Sequence, residues 1–536
     1  NASGNDFPGD NIRAISLTNL PTARSGDGAY NLEIHNLSYF GRAQYSYKSR
    51  YILTSTLRRD GSSRFGVDNT WGTFPSAAAA WRVSEESFLK SIPTISNLKL
   101  RLGWGQTGNS GNQNSDQATA ALTSSNIQYN YYPQNGVLGA GSSSKIPVVG
   151  TIKTLADTKL KWETNEQKNI GIDLGLFKNN LNVTVDYFTR SSKDLLNWLN
   201  IRPSSGYDKV YTNLGGIDNK GIEFSINYKK QINKDWNFGV TATGSHVKNT
   251  ISNIGGNDIF FENTGATGDG SNQGQIGAPS GTHWNNHSIM REGYAVGSFY
   301  GYKVDHIYTN QAEIDAANAA AIAAGHPGGY NNGSKTVPGD YKYKDLNGDG
   351  FIDEKDMTIL GNGFPKLNYG LTFNATYKNW DFMIYGYGVY GAQIYSYSAM
   401  TLTDMFPSDN GTTPNLLKEV AQNAWSPTNS TNAQYARLSF LDLNYNMRGS
   451  DAWLKKGDYF KLGNVQVGYT FDKSLLNVVR LQSARISASV QNVFCISSYN
   501  KYGDPEVGQG SVLYTGLDTG RYPMPRIYTI GLNIQF

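Results

Sequence analysis

Short segments of alternating character recur along this chain of 536 residues. In residues 98–105 and 181–187 every second residue is apolar, and the residues between them are polar, charged or glycine. Residues 528–536 repeat the pattern and end on Phe536, an aromatic terminus of the kind that serves barrel assembly. A period of two is that of a β-strand whose faces meet different surroundings. We count about 14 such segments, more than an ordinary sheet contains, and predict an all-β fold.

The sequence contains no uninterrupted apolar run of about 18 residues, which argues against a membrane-spanning helix. A membrane-spanning β-barrel needs no such run, because only alternate residues of its strands face lipid. The 59 Gly, 35 Tyr and 12 % aromatic residues suit strands and turns. The net charge of +4 comes without a basic block, so we expect no nucleic-acid partner.

The connections between predicted strands are of two kinds. Short polar turns occupy residues 47–50, 177–181 and 377–380. Long stretches rich in Gly, Asn and Ser cover residues 106–160, 253–296 and 305–364. A soluble sandwich would also alternate, because one face of each sheet packs on a core. Short turns on one side and long loops on the other favour a large antiparallel transmembrane β-barrel with long extracellular loops.

Aromatic residues lie near the predicted strand ends, at Tyr47, Trp104, Trp162, Tyr187, Tyr228, Trp236 and Trp380. The interfacial girdles of a membrane barrel place aromatic side chains there, although packing caps of a sandwich would do so too. A single helix is predicted over residues 311–324, which are rich in Ala, carry Glu313 in the first turn and are followed by Gly325. It would lie within a loop.

Recognisable blocks are spread, in order, along nearly the whole chain. They include Phe40-Gly41-Arg42, Asp60 to Gly66, Trp71 to Ser76, Gly105 to Asn109, Asn213 to Gly221, Asp340 to Asp356, Tyr459 to Tyr469, Gln491 to Phe494 and Asp504-Pro505-Glu506. Together they resemble the SusC/RagA family of TonB-dependent outer-membrane transporters. The resemblance implies a barrel of about 22 strands, plugged by an N-terminal domain that follows a TonB-contacting segment.

With about 14 strands, this chain would form only part of such a barrel. We therefore expect residues 33–536 to be the C-terminal part of the barrel and residues 1–32 to be a loop or clipped N-terminal segment. The plug, the TonB-contacting segment and the other strands would belong to an N-terminal portion that is absent here. An open edge inside lipid would leave backbone groups unsatisfied, which is why that portion is expected as a partner.

The resemblance also implies a function: active import of oligosaccharides or oligopeptides across the outer membrane of a Gram-negative cell of the Bacteroidetes type. Import would be energised by the TonB complex, and a SusD-like surface lipoprotein would cap the barrel. The chain is not expected to be an enzyme. A secreted or surface-bound β-rich binding protein or enzyme stapled by calcium is the main alternative, and a passive porin is a third. Dependence of solubility on detergent separates the secreted protein from the two membrane proteins.

Residues 345–356 match a calcium loop of the EF-hand type. Oxygen ligands fall at positions 1, 3, 5, 9 and 12 of the loop, a glycine stands at position 6, and a main-chain carbonyl fills position 7. The predicted Ca²⁺ ligands are Asp345, Asn347, Asp349, Phe351, Asp353 and Asp356. Position 12 is Asp rather than the usual Glu, and its shorter arm weakens bidentate closure. The alternative is an acidic turn without an ion; in either case the role is structural.

Other candidate sites are weak. His283 and His287 are four residues apart, but their surroundings do not favour a helix, so zinc binding is not expected. Residues 136–145 are rich in glycine, but Gly141 is followed by Ser rather than by the lysine of a phosphate loop. Cys495 is the only cysteine, so no disulfide forms within the chain. The sequence does not assign residues that contact substrate.

Overall fold

A computed structural model describes residues 3–4, 24–25, 34–111, 154–155, 157–200, 203–205, 209–255, 259–261, 288–331, 335–403, 405, 415–478, 481–508 and 512–536. The loops predicted at 106–160 and 253–296 therefore lie partly outside the described residues, and the histidine pair and the glycine-rich residues 136–145 lie wholly outside them. None of the described helices has the length and apolar character needed to cross a membrane.

The first strands in chain order are β1 (Ser3–Gly4), β2 (Arg24–Ser25), β3 (Asn36–Tyr47), β4 (Tyr51–Ser62), β5 (Trp71–Arg82), β6 (Ile95–Asn109), β7 (Thr154–Leu155), β8 (Glu163–Leu176), β9 (Leu181–Lys193), β10 (Leu196–Asn200), β11 (Lys209–Asn213), β12 (Gly216–Gln231) and β13 (Trp236–Asn253). They are followed by β14 (Ile259–Phe261), β15 (Ser288–Met290), β16 (Ser298–Gly301), β17 (Val304–Ile307), β18 (Tyr341–Tyr343), β19 (Thr358–Gly361), β20 (Leu367–Tyr377), β21 (Trp380–Tyr390), β22 (Gln393–Ser396), β23 (Leu454–Lys456), β24 (Tyr459–Thr470), β25 (Ser483–Ser497), β26 (Leu517–Asp518) and β27 (Ile527–Gln535).

The α-helices are short: α1 (Ser87–Lys90), α2 (Gln311–Ala323), α3 (Tyr397–Thr403), α4 (Lys418–Asn423) and α5 (Lys473–Val478). Single 3₁₀ turns occur at Val83–Glu85, Pro203–Ser205, Glu354–Asp356, Asp451–Trp453, Ser498–Lys501 and Val512–Tyr514. The helix predicted over 311–324 is confirmed as α2. The Asn310 side chain caps it by accepting from the Glu313 backbone N–H.

Thirteen strands form one sheet in the order β27-β25-β24-β21-β20-β13-β12-β9-β8-β6-β5-β4-β3, close to the predicted number. Strands that lie side by side in this sheet also follow one another in the chain when only the long strands are counted. This order is expected when short turns join antiparallel strands. In the β20–β21 hairpin Tyr377 pairs with Trp380, so the connection is only Lys378 and Asn379. The β3–β4 hairpin closes with Tyr47 opposite Tyr51. These two predicted short turns are therefore confirmed, and so is the third, which lies between the end of β8 at Leu176 and the start of β9 at Leu181.

The chain divides into two compact units. The first comprises Asn1–Ala80, Leu102–Asn169 and Arg190–Ile217, and the second comprises Trp81–Arg101, Ile170–Thr189 and Asp218–Phe536. In the first unit, Phe65, Leu160 and Tyr211 form a small buried cluster. Trp162, predicted to lie near a strand end, packs there with its ring centroid 5.0 Å from that of Phe65.

The second unit has a larger core, built from its long connections rather than from its sheet. The cluster contains Phe299, Tyr395, Met400, Met447, Trp453 and Leu517. These residues come from β16, β22, α3, β26 and two connecting segments. The predicted long loop over 305–364 lies in this region of the chain and has secondary structure of its own. The apolar residues of the sheet strands are not in this core.

Many apolar residues of the long strands remain exposed. Leu532 is 64 % exposed, Ile530 82 % and Ile170 58 %. A soluble sandwich would have buried such a face, because burial of apolar surface is what stabilises it. Exposed apolar side chains at alternate positions are the pattern of strands that face lipid.

A row of four aromatic residues crosses adjacent strands beside the short turns of the second unit. Trp236 pairs with Tyr377, Tyr377 with Trp380, and Trp380 with Tyr469. The ring centroids of Trp236 and Tyr377 are 4.5 Å apart, and those of Trp380 and Tyr469 are 4.9 Å apart. Such a row is typical of the aromatic girdle at a membrane–water interface.

The core of the second unit predicts the effect of one truncation. Phe299→Ala should lower the free energy of unfolding by about 3–5 kcal/mol, because Phe299 is 1 % exposed and its ring packs against Tyr395. Phe88→Ala is the matched control, since Phe88 is 62 % exposed. Denaturant unfolding of the purified protein in detergent measures both, and equal losses of stability for the two variants would contradict the assignment of this core.

Candidate functional site

The face of the sheet opposite the apolar side chains is polar. Across three adjacent strands of the second unit, Thr243 pairs with Gly370, and Gly370 pairs with Tyr387. Tyr387 in turn pairs with Lys461 on β24. Since paired residues of neighbouring strands point to the same face, these side chains share one surface. In a membrane barrel this is the surface that lines the lumen.

A recess of about 490 Å³ opens on this polar face of the second unit. Two tyrosines at alternate positions of β21, Tyr385 and Tyr387, contribute rings whose centroids are 5.5 Å apart and whose planes differ by 21°. A Cβ atom at Gly370 would lie 3.0 Å from the Thr243 hydroxyl and 3.8 Å from the Tyr385 ring, so glycine leaves a depression between them. Glu223 and Ser225 also line the recess.

The tyrosine wall is anchored by a buried charge cluster. The Tyr387 hydroxyl donates to Glu506 at 2.7 Å. The Lys461 ammonium, whose side chain is 4 % exposed, bonds the same carboxylate and lies 3.5 Å from Asp504. An ammonium this buried requires anionic partners, and here two are present. Asp504-Pro505-Glu506 therefore ties the connection between β25 and β27 to the polar face.

A second ion network on this face joins three strands of the second unit. The Arg101 guanidinium makes four hydrogen bonds of 2.9 Å, two to Asp173 and two to Asp186. Paired bidentate contacts fix both carboxylates in position. Gly171 is required beside them, since a Cβ at that position would collide with the Arg101 guanidinium and the Asp186 carboxylate.

The first unit has a recess of its own, of about 740 Å³. Its lining includes the amides Asn165, Gln167 and Asn169 together with Arg190. Arg190 donates to Gln167 at 3.1 Å. The recess is therefore polar, with both donors and acceptors on its walls.

The predicted calcium loop is a tight turn held by its own carboxylates. Asp345 accepts from the backbone N–H groups of Gly348 at 2.6 Å and Gly350 at 2.8 Å. Asp356, which is fully buried, accepts from the N–H groups of Leu346 at 2.7 Å and Asp353 at 2.8 Å. The first and last predicted ligands thus bind the backbone of the loop and hold both of its ends in a fixed conformation.

Of the remaining predicted ligands, Asn347 is exposed, and Asp349, Phe351 and Asp353 are half-buried. The Asn347 amide donates to Asp349 at 2.8 Å, and Lys355 lies 3.3 Å from Asp353 and 3.8 Å from Asp349. Within the described residues, no three His, Cys, Asp or Glu side chains form a group that could hold a metal ion. The predicted ligand set also includes the amide oxygen of Asn347 and the main-chain oxygen of Phe351, and calcium binding by the loop stays a prediction.

Residues 2–331 match the family described as TonB dependent receptor-like, beta-barrel. The chain belongs to this family. TonB-dependent receptor P3 of Formosa agariphila is 32 % identical over 98 % of this chain and 47 % of its own length. TonB-dependent receptor SusC of Bacteroides thetaiotaomicron is also 32 % identical, over 93 % of this chain and 44 % of its own length. This TonB-dependent receptor chain therefore spans about half the length of the curated relatives it matches.

Solved structures give the same fold for the TonB-dependent receptor chain. The structure of the RagAB peptide transporter covers 99 % of this chain with a TM-score of 0.69 at 19 % identity, and this chain covers 51 % of it. The resemblance to the SusC/RagA family and the predicted barrel class are confirmed. TonB-dependent receptors are outer-membrane transport proteins rather than enzymes, which also confirms the predicted localisation.

The long connections of the receptor contain a lysine with a perturbed pKa. Lys455 lies in β23, outside the large sheet, and its ammonium donates to the Ala452 carbonyl at 2.8 Å. Desolvation, together with the nearby charge of Lys501, lowers the pKa of Lys455 to about 8, and Glu419 opposes both effects. Because the pKa in the unfolded chain is the ordinary 10.5, the unfolded state binds more protons between these two values, and stability rises with pH there.

We expect Lys455→Met to remove this part of the pH dependence. Between about pH 8 and pH 10 the wild-type receptor should gain stability that the variant does not, because the variant no longer loses a proton on folding. Thermal unfolding at several pH values measures the difference. Lys456→Met, at the exposed neighbouring position, is the control and should follow the wild type. Parallel pH profiles for all three proteins would show that Lys455 is not desolvated.

Proposed function

We propose that this chain is part of an outer-membrane active importer of oligosaccharides or oligopeptides, energised through TonB and capped by a SusD-like surface lipoprotein. The observation that carries the proposal is a sheet whose exposed apolar face suits lipid and whose opposite face is polar and recessed, in a chain of the TonB-dependent receptor family. The relative named SusC and the structure titled RagAB peptide transporter support this type of receptor.

The domain organisation belongs to the same proposal. Residues 33–536 would supply the C-terminal part of the barrel, with its extracellular loops near 106–160, 253–296 and 305–364, and residues 1–32 a loop or clipped segment. The plug, the remaining strands and the segment that contacts TonB would come from the other half of the protein. The strand order supports this, because β3 and β27 each have one neighbour within the described sheet, and an edge strand in lipid needs another.

Import should depend on both the receptor and TonB. A Bacteroidetes strain that lacks the gene for the full-length receptor should lose uptake of fluorescent oligosaccharides or oligopeptides, and a strain without TonB should lose it equally. The full-length receptor should also co-purify with a lipoprotein in detergent. Uptake that needs the receptor but persists without TonB would contradict active import and favour a passive pore.

We also propose that residues 345–356 bind Ca²⁺ and stiffen an extracellular loop. The backbone contacts of Asp345 and Asp356 support it, because they fold the segment into a closed turn with glycines at φ +78° and +93°. The ligands would be oxygens of Asp345, Asn347, Asp349, Phe351, Asp353 and Asp356. The ion would have no catalytic role.

Calcium should raise the unfolding temperature of the full-length receptor. At calcium concentrations about 100 times the dissociation constant, the gain is about 2.7 kcal/mol. Asp345→Asn and Asp356→Asn should abolish the difference between calcium and chelator, whereas Asp315→Asn in the neighbouring helix α2 should keep it. A wild-type receptor equally stable in calcium and in chelator would refute the site. The quantity compared is the difference in unfolding temperature between calcium and chelator. A variant that is merely less stable under both conditions would therefore still show this difference.

A further inference from the structure

In one segment of the connection between β21 and β24, polar side chains are buried and apolar side chains are exposed. Asp442, Asn444 and Asn446 are all buried. The residues beside and between them form an exposed apolar strip of Phe440, Leu441, Leu443 and Tyr445, in which Phe440 is 57 % and Leu441 62 % exposed. A loop that faces only water normally places these two classes of residue the other way round. Exposed apolar patches of this kind mark contact surfaces.

The buried polar residues hold the apolar strip in one conformation. The Asp442 carboxylate accepts from the Asn446 backbone N–H at 2.6 Å. The Asn444 amide oxygen accepts from the Asn331 amide and from the Thr336 hydroxyl, both at 2.7 Å. Because these bonds reach segments more than 100 residues away in the chain, the strip is fixed to the rest of its connection region.

The backbone of the strip is strained at Tyr445, whose φ of +60° lies in the left-handed region that favours glycine. The Tyr445 carbonyl accepts from the Tyr343 hydroxyl at 3.1 Å and from the Arg448 guanidinium at 3.0 Å. The same guanidinium lies 5.5 Å from the centre of the Tyr445 ring. Strain of this kind persists where the surroundings impose it, and it is concentrated at functional positions.

We propose that the apolar strip is one side of a permanent contact with the N-terminal half of the full-length receptor, which supplies an apolar segment that packs on it. The inference rests on the domain organisation proposed above. The chain spans about half the length of its curated relatives, so a receptor of their length has a second half of similar size to cover the strip.

The topology brings the two halves together at the strip. In the second unit, short turns join β12 to β13 and β20 to β21, so the connections β13–β20 and β21–β24 leave the sheet at the opposite ends of these strands. The strip belongs to β21–β24. Since short turns and long connections lie at opposite ends of a membrane barrel, the long connections of the N-terminal half would emerge at the same end as the strip.

The composition of the strip favours a permanent contact within one receptor. Its four exposed side chains are aromatic or aliphatic, and none carries a charge. Permanent interfaces resemble a protein core cut in half, whereas surfaces that associate and separate are more polar. Because the strip is already held in one conformation, little further order is lost when it is covered.

The test measures access to the strip in the full-length receptor, purified in detergent. Phe440→Cys and Leu441→Cys are made singly in a receptor whose native cysteines, Cys495 among them, are replaced by serine, and each is reacted with a polar maleimide. Each thiol should react at least tenfold more slowly in the folded receptor than in denaturant. Asn432→Cys, at an exposed polar position of the same connection, should react at similar rates in both.

A second measurement needs no substitution. Hydroxyl-radical footprinting of the wild-type receptor should show Phe440 and Tyr445 protected relative to the same residues in denaturant. It therefore decides the question even where a cysteine variant fails to fold.

Rapid labelling of both thiols in the folded receptor, or unprotected Phe440 in the wild type, overturns the inference. Protection that is present only with an accompanying lipoprotein, or only in a dimer of the receptor, assigns the strip to that partner and also overturns it. None of these measurements involves transport. The proposed import function is refuted separately, by uptake that does not need TonB.

Discussion

Hydrogen bonding between antiparallel strands is the constraint on which the rest of this receptor depends. Each backbone N–H and C=O group of an interior strand is paired within the sheet, so the strand can present apolar side chains to lipid without leaving polar groups unsatisfied. The exposure of Ile170 in β8 and of Leu371 in β20 is tolerable only in that setting. Because strand side chains alternate, the same pairing directs every second residue to the opposite, polar face.

The polar face acquires specific shape where charges and glycines interrupt its regular pattern. Arg101 joins Asp173 and Asp186 across neighbouring strands, and Lys461 draws Glu506 and Asp504 onto β24. These clusters position long side chains in a surface that is otherwise made of small polar groups. The recess beside Gly370 exists because a residue without a side chain lies between Thr243 and Tyr387.

Sequence reasoning identified the strands, the short turns and helix α2, because each depends on local periodicity or turn chemistry. It noted Asp504-Pro505-Glu506 only as part of a resemblance, since nothing local shows that Glu506 meets Tyr387, 119 residues earlier in the chain. The alternation of Tyr385 and Tyr387 with glycines was the available signal for the recess. Nor did composition show that Phe299 and Trp453 form a core, because their partners come from distant segments.

The two-residue turn at Lys378 and Asn379 has a consequence for how such a receptor can diversify. A single residue inserted within β20 or β21, beside this turn, would shift the register of one strand against the other, and a shift of one residue sends every side chain beyond it to the other face. After an insertion at the start of β21, Tyr385 and Tyr387 would point to lipid and Trp380 to the interior. The turns β3–β4, β8–β9, β12–β13 and β20–β21 on this side contain only two to four residues, whereas the long connections at the opposite ends can change in length without altering which residues face lipid and which face the interior.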